Sequence, residues 1–529
     1  MLVAVTLIGG VLRFARLAYP NALVFDETYY AKDACLYLGK GMTFCGTTQP
    51  TEQSYVHPPL GKWIIAMGIK VFGFNTFGWR IMSAVFGTAL IVIVFVLARK
   101  LLGRWAGGVT GLLVATDFLL IVQSRVALLD IFLAFFVALG FLFVVLERER
   151  VLRVRAAGAG GLDLGWRIAA GASFGAAGAV KWSGAYALAA AVVLVVFWTV
   201  GAALDIRRAE NQWEAHRAPS PLLELNVTWP AMILPAVAVY LCSYGVWFYD
   251  HRYSLREFWK LQGDMLKYHL TLHAPHAYAS PAWKWPLIWR PVAYYFTGGA
   301  KATHILAFGN PATWWPALAA ALWLAYRALW RRDSPVRRLG TPLAATGTSF
   351  VLWRAAKATP RYLYEVLVTP AAIILCAWVL QYVPWARFSR PEFFFYMTPI
   401  VPFMMLALAL TLRDVVRGCL KEGVLVAACL AVVLLGAAAV ALFVHQFGFG
   451  PDLGGQRRIV ELAGLPILAL GVAVALGYSQ AMRVYRQALV GVYLALACGL
   501  ALFYFYPVIA AWAIPFVQWQ RRMLFPTWI

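Results

Sequence analysis

Charge is what this sequence has least of. Only 13% of its 529 residues are Asp, Glu, Lys or Arg, against about 25% in soluble domains. Acids are the scarcer half, 23 against 46 bases. With 62% hydrophobic residues, this shortage excludes an ordinary soluble chain and reads as a polytopic membrane protein. The net charge of +23 does not point to nucleic acid, because the bases fall between apolar runs, as the positive-inside rule expects. A small-residue cleavage site is also missing after the apolar residues 1–12. Arg13, Arg16 and "FDETYY" follow instead, which argues against a secretory signal peptide. The first run is short for a span of ~20 residues, so a stubby helix or a start further upstream is expected. No convincing internal repeat is visible, and the Ala/Gly-rich stretch 156–161 reads as a flexible cytoplasmic linker.

What is present is a series of apolar runs: 1–17, 81–98, 105–123, 126–146, 168–180, 186–203, 229–246, 311–329, 362–383, 393–412, 424–444, 459–476 and 488–507. Helices are the expected spanning form, because backbone groups in lipid must bond internally. The runs predict about 11–13 transmembrane helices in an all-α membrane protein. Basic clusters occupy alternate loops: Arg99, Lys100 and Arg104; Arg148, Arg150, Arg153 and Arg155; Arg207, Arg208 and Arg217; Arg331, Arg332, Arg337 and Arg338; Arg413, Arg417 and Lys421; Arg483 and Arg486. Those loops are assigned to the cytoplasm. The other side then carries two long loops, about 18–80 and 247–310. The chain divides accordingly into a module over 1–246, the second external loop over 247–310, and C-terminal helices over 311–529. In the first loop, "HPPLGKW" precedes an apolar stretch, 64–74, too short to span. It reads as an interfacial helix anchored by Lys62 and Trp63. Of seven cysteines, Cys242, Cys376, Cys419, Cys429 and Cys498 sit in or beside apolar runs. Cys35 and Cys45 share the external loop, where a disulfide and free thiols both stay open.

The acids and cations at the external ends of these runs are the candidates for chemistry. Asp26 and Glu27 have a bland explanation as a helix N-terminus. Yet Phe25, Tyr29 and Tyr30 surround them, and an apolar wall makes a carboxylate a better base. Adjacent helical residues point about 100° apart, so one acid can face a reacting centre while the other holds a neighbour. In "SRVALLD", Arg125 could merely snorkel, whereas Asp130 opens an apolar run, where acids usually have a partner or a function. Lys181 in "GAVKWSG", and Arg387 and Arg390 before "PEFFFYMTP", complete a set of cations suited to an anionic headgroup, above all a phosphate. In the second loop, His269, His273 and His276 have metal-like spacing, but Pro275 interrupts the helix that would align them and no fourth ligand is evident. Polar-substrate binding is the favoured reading there, with Tyr278, Trp283, Trp285 and Trp289 as stacking faces or interface anchors.

Taken in order, "FDETYY", "HPPLGKW", "SRVALLD", "KWSG", "GNPATWWP", "RPEFFFYMTPIVPF" and "WQRRMLFPTWI" resemble the protein O-mannosyltransferases, in particular the bacterial, actinobacterial-type branch. The resemblance runs over nearly the whole chain. It implies a GT-C glycosyltransferase fold in the cell membrane, with an extracytoplasmic active site under the first external loop. It also implies transfer of mannose from polyprenyl-phosphate mannose to Ser or Thr of secreted proteins. By the family pattern Asp26 is the catalytic base, Glu27 its support, and Arg125 an arginine near the site. Two departures stand out. The family's "YHYLP"-like string is "FYMTP" here, with Met397 in place of a histidine or tyrosine, and no role is assigned to that position. The large lumenal domain of the fungal enzymes is replaced by the loop 247–310.

The residues fit an inverting transfer with one base and one cationic cradle. The expected donor-phosphate and substrate set is Arg125, Lys181, Arg390, His57, Lys62 and Asp130. The expected acceptor or second-loop set is Tyr29, Tyr30, His269, His276, Tyr278 and Trp285. No cofactor is required on this reading and a metal-free site is favoured, although a divalent ion could assist phosphate departure. Expected partners are the lipid-linked donor, membrane lipid and Ser/Thr-rich secreted proteins, with no nucleic acid. An acceptor that arrives unfolded is compatible with coupling to the export machinery. The rivals are another polyprenyl-phosphate-sugar transferase acting on a lipid or cell-wall glycan, and a transporter or lipid flippase. Transporters tend to carry charge at midplane in broken helices, whereas the charges here lie at the rims.

Overall fold

The computed structural model describes residues 1–47, 56–156, 164–206, 227, 229–329, 369–387, 390–417, 483–523 and 528. The runs 424–444 and 459–476, Cys419, Cys429, most of the 156–161 linker and the basic clusters at 207–217, 331–338 and Lys421 lie outside the described residues. In chain order the helices begin with α1 (Leu2–Phe14), α2 (Glu27–Tyr37), α3 (Leu60–Phe72), α4 (Thr76–Leu102), α5 (Arg104–Thr116) and α6 (Phe118–Gln123). They continue with α7 (Asp130–Ala156), α8 (Gly165–Val180), α9 (Gly184–Ile206), α10 (Pro230–Ser243), α11 (Gly245–Asp250) and α12 (Leu255–Thr271). After a hairpin of β1 (Val292–Thr297) and β2 (Lys301–Ala307) come α13 (Pro311–Leu329), α14 (Pro370–Tyr382), α15 (Val401–Arg417) and α16 (Arg483–Tyr504). The short strand β3 (Ile514–Pro515) and α17 (Phe516–Gln520) follow. Among the described residues, Thr76–Leu102, Asp130–Val154 and Arg486–Tyr504 are long and apolar enough to cross a membrane, with Leu2–Phe14, Gly184–Val200 and Pro230–Ser243 shorter.

Local chemistry explains the boundaries. Asn75 caps α4 by accepting from the Gly78 N–H at 2.9 Å. Arg99 and Lys100 occupy its last turn, where the helix dipole favours cations. Gly103, at φ 96°, makes the turn into α5, a conformation that a side chain disfavours. The run 105–123 is not one helix, because the chain extends at Asp117, the only acid in that run. The Asp117 carboxylate accepts from Leu120 N–H at 3.0 Å and from the Trp314 indole at 2.7 Å. The carbonyls freed at the end of α5, Val114 and Ala115, accept from the Arg13 guanidinium, so the break is satisfied internally, as lipid requires. Farther along, α8 and α10 cross closely: a Cβ on Gly171 or Gly175 would lie 2.2 Å from Met232 O or 2.4 Å from Ala236 O. This is the small-xxx-small logic of packed membrane helices.

One end of the bundle is basic and ion-paired: Lys100 with Glu149 at 2.7 Å, Arg167 with Glu147, and Arg327 with Asp414. The opposite end is capped by α2, α3, α12 and the β1–β2 hairpin. Strand β3 pairs with β2, and the Trp519 indole donates to His304 Nδ1 at 3.0 Å across 215 residues of sequence. Cys35 and Cys45 are joined in a disulfide. The expected interfacial stretch 64–74 corresponds to α3, whose Met67 and Val71 are exposed. Lys62, expected as a headgroup anchor, is instead buried and pairs with Asp33 at 3.1 Å.

The interaction that seats the loop 18–80 is a buried clamp between Glu27 and Arg80. Arg80 Nε donates to Glu27 Oε1, and Nη2 to Oε2, both at 2.8 Å. Ala127 N–H and Val24 N–H fill the remaining acceptor sites at 2.9 and 3.0 Å. The same guanidinium reaches the carbonyls of Leu17, Pro20 and Ala22. Arg80→Met should leave the buried Glu27 carboxylate without its counter-charge, a loss on the order of 3–5 kcal/mol, read as a lower Tm in detergent. Adding Glu27→Gln should recover part of it, and an additive double variant would contradict the clamp. Thiol reagents should leave Cys35 and Cys45 unmodified until a reductant is added.

Candidate active site

Phe25, at φ 48°, turns the chain sharply into α2, in a region that non-glycine residues seldom occupy. Its ring is held by stacking on Tyr294 at 4.7 Å and by an edge contact with Phe395 at 5.8 Å. Gln123 in turn donates to the Tyr294 hydroxyl at 2.8 Å. Asp26 thereby becomes the N-cap of α2, yet its side chain makes no capping bond. Tyr30, one turn on, bonds that carboxylate instead. Burial raises the Asp26 pKa to about 6, Lys181 opposes the rise and Asp130 adds to it. The two neighbouring acids are thus unlike: Glu27 has every acceptor site filled, while Asp26 is half-buried beside other charges.

A cavity of about 560 Å³ adjoins these charges. Its polar wall includes His57, Asp130, Lys181, His269, Arg390 and Tyr396, and its apolar wall comes from α8, α10 and α12. Lys181 leaves the end of α8 in extended backbone. Its ammonium reaches both Asp130 oxygens at 2.9 Å and lies over the Tyr396 and Phe395 rings at 5.1 and 5.5 Å. Arg390 donates to the Tyr396 hydroxyl at 2.9 Å and to His269 Nδ1. Its Nε is buried without a hydrogen-bond partner among the described residues. The Val56 carbonyl can only accept and Arg390 can only donate, so His269 carries its proton on Nε2, 2.9 Å from Val56 O. Burial, then Arg390, lowers the His269 pKa to about 4. Burial, then Lys181, lowers that of His57 well below the ordinary range. Both imidazoles are therefore neutral near pH 7, and their rings lie 5.6 Å apart.

Of the residues singled out in the sequence, His57, Asp130, Lys181, His269 and Arg390 converge on this cavity, with Asp26 and Tyr30 beside it. Others go elsewhere. Arg125, expected in the phosphate cradle, donates to the carbonyls of Leu12, Arg13, Ala15 and Arg16. It satisfies the C-terminal end of α1, whose last carbonyls have no helical partner. Lys62 is committed to Asp33. Trp285 is fully buried, its indole donating to Ser280 O at 3.0 Å, so it is core rather than an acceptor platform. Tyr29 is exposed to solvent. Tyr278 lies under Arg290. His276 packs edge-on against Phe393 and Phe25, next to Asp26. Among the described residues no three His, Cys, Asp or Glu gather as a metal ion would require.

The sequence reading gave no role to Arg80, Trp182, Tyr186, Tyr240 and Tyr396. The last four line the cavity, and the Trp182 indole donates to the Tyr240 hydroxyl at 2.9 Å. Trp182 and Tyr396 stood inside quoted motifs, beside Lys181 and Met397. Met397 itself is wholly buried.

Comparison with known proteins follows the same outline. Residues 3–252 match the dolichyl-phosphate-mannose-protein mannosyltransferase family, and residues 254–451 match the C-terminal four-transmembrane region of protein O-mannosyltransferase. The polyprenol-phosphate-mannose–protein mannosyltransferase of Mycolicibacterium smegmatis is 29% identical over 78% of this chain and 82% of its own length. That of Corynebacterium glutamicum is 28% identical over 73% and 76%. Among solved structures, the Saccharomyces cerevisiae protein O-mannosyltransferase Pmt1–Pmt2 complex bound to the sugar donor superposes with a TM-score of 0.63, at 13% identity, over 99% of this chain and 92% of that one. ArnT from Cupriavidus metallidurans bound to undecaprenyl phosphate gives 0.50, at 17% identity, over 96% and 76%. The two structures share the GT-C fold with this protein. On the two adjoining sequence matches and this fold, the chain belongs to the protein O-mannosyltransferase family, integral membrane glycosyltransferases.

Proposed function

We propose that this protein transfers mannose from a polyprenyl-phosphate mannose to Ser or Thr hydroxyls of exported proteins, with inversion, on the extracytoplasmic face of the cell membrane. The observation that carries the reading is the cavity that sets Lys181 and Arg390 above an apolar slot while Asp26 stands beside both charges of the Lys181–Asp130 pair. Such a slot suits a lipid phosphate. An ammonium has three N–H donors, and two are engaged by Asp130, leaving one for a phosphate oxygen. Arg390 is held from two sides by Tyr396 and His269, so little reorganisation is needed when charge develops on the leaving phosphate. The neutral imidazole of His57 adds hydrogen-bonding capacity, and that of His269, with both nitrogens engaged, holds Arg390 without competing for the anion.

In the step itself the acceptor oxygen attacks the anomeric carbon and the bond from that carbon to the phosphate oxygen breaks. Its electron pair leaves with the polyprenyl phosphate, and the hydroxyl proton passes to Asp26. A carboxylate of pKa about 6 is ionised at neutral pH and is a stronger base than an ordinary aspartate. The cations supply the phosphate's charge balance, so the reading assigns no role to a metal. Orientation is supported by the basic, ion-paired end lying opposite the cavity.

The decisive assay is transfer of labelled mannose from a polyprenyl-phosphate donor to a Ser/Thr-rich peptide by purified protein in lipid, with and without chelator. No transfer with mannose, but transfer with another lipid-linked sugar, would overturn the proposed donor. Asp26→Asn should lower kcat by ~10²–10⁴-fold with donor binding retained, and a near-normal rate would remove Asp26 from the base role. The base must be unprotonated, so log kcat/KM should rise with unit slope up to about pH 6 and then level off. Arg390→Ala should raise KM for the donor more than for the peptide, whereas Arg125→Ala should act on thermal stability.

A further inference from the structure

Helix α12 divides into three sectors when its residues are set around the axis at about 100° each. Phe258 and Met265 face the protein and are almost wholly buried, at 2% and 1% exposure. That face is pinned at two points: the Tyr240 hydroxyl of α10 donates to Gln262 Oε1 at 2.7 Å, and His269 bonds Val56. The second sector is a stripe of Leu255, Trp259, Leu266 and Leu270, spread over about 60° of arc. These four are 66%, 69%, 49% and 59% exposed. On one side of the stripe, about 40–80° beyond its edge, stand the exposed cations Arg256, Lys267 and Lys260. The acids Glu257 and Asp264 lie on the side of the helix away from the stripe, and Ser254 caps the first turn. A helix facing water on all its open sides has no use for four large exposed apolar groups in one row. An apolar stripe bordered by long cations and then by acids is the pattern of a helix lying at a bilayer surface. The aromatics Tyr249, Tyr253 and Trp283, also exposed at this end, have the composition of an interfacial belt.

The stripe is continuous with the cavity. Leu266 and Leu270 line it, as do Ala236 and Val237 of α10, and Leu270 and Val237 both also count among the exposed apolar side chains. The cavity therefore has an apolar lip between α10 and α12.

We propose that α12 is seated in the bilayer leaflet flanking the cavity: its Leu255–Trp259–Leu266–Leu270 stripe enters the acyl region, its Arg256–Lys260–Lys267 row meets headgroup phosphates, and its C-terminal half forms one jamb of a lateral portal, opposite α10, through which a lipid tail runs from cavity to membrane. The seating stands on the helix alone. The portal rests on the lipid-donor reading above.

The test separates the two. Photoreactive benzoylphenylalanine is introduced singly at positions 255, 259, 257 or 264 in protein reconstituted with phosphatidylethanolamine and phosphatidylglycerol, then illuminated and analysed by mass spectrometry. Phospholipid adducts at 255 and 259, and far fewer at 257 and 264, are expected. Equal yields at all four positions, or adducts at 255 and 259 that are polypeptide (a second copy or another chain), overturn the seating. This readout needs no turnover, so it stands or falls apart from the transferase reading. For the portal, Leu266→Gln should raise KM for a long-chain donor about tenfold more than for a two-isoprene donor, roughly the equilibrium factor that burial of one leucine is worth. The same change for both donors overturns the portal.

Discussion

The geometry of the candidate site depends on one buried ion pair. Glu27 and Arg80 meet through two parallel hydrogen bonds of 2.8 Å. Between them they collect two backbone N–H groups and three backbone carbonyls from the loops around α1, α2 and α7. A charge pair removed from water is favourable only when nearly every remaining donor and acceptor is also satisfied, and here that condition is met on the carboxylate side in full. The clamp therefore acts as a joint. It fixes the start of α2, and with it the backbone of Asp26, relative to α4 and to the loop before Asp130.

That joint accounts for the division of labour between two acids adjacent in sequence. A carboxylate saturated with donors is a poor base, because its lone pairs are already occupied. Asp26 has one hydroxyl partner in Tyr30 and two neighbouring charges of opposite sign, which leaves its basicity adjustable. The same logic recurs across the cavity. Asp130 is taken up by Lys181, and His269 by Val56 and Arg390, so each group near the apolar slot is oriented by a neighbour that does not itself need to move.

Much of the candidate site was legible because polar residues are rare in this chain. Asp26, Asp130, Lys181 and Arg390 stood out at the ends of apolar runs, and the structure brings them to one end of the bundle. What a sequence cannot show is the direction in which a long side chain turns. Arg125 reads as a phosphate ligand by position, but the bare carbonyls at the end of α1 lie within its reach, and a guanidinium can donate to either. Trp285 reads as a stacking face and is core for a similar reason. The break at Asp117 was visible as the lone acid in an apolar run, yet hydropathy averaged it away. Arg80 could not be matched to Glu27 without tertiary structure, since 53 residues separate them. Tyr240 and Tyr396 carried no signal of their own in a chain so rich in aromatics.

The pairing of β3 with β2, reinforced by Trp519 on His304, bears on how the protein comes into being. The hairpin whose Tyr294 supports Phe25 is braced by residues that leave the ribosome some 215 positions later. A nascent chain can be complete from α1 through α13 and still lack that brace. Completion of this cap thus waits for the segment around Trp519, and a product lacking that segment would carry the acids and cations of the candidate site without the scaffold that braces them.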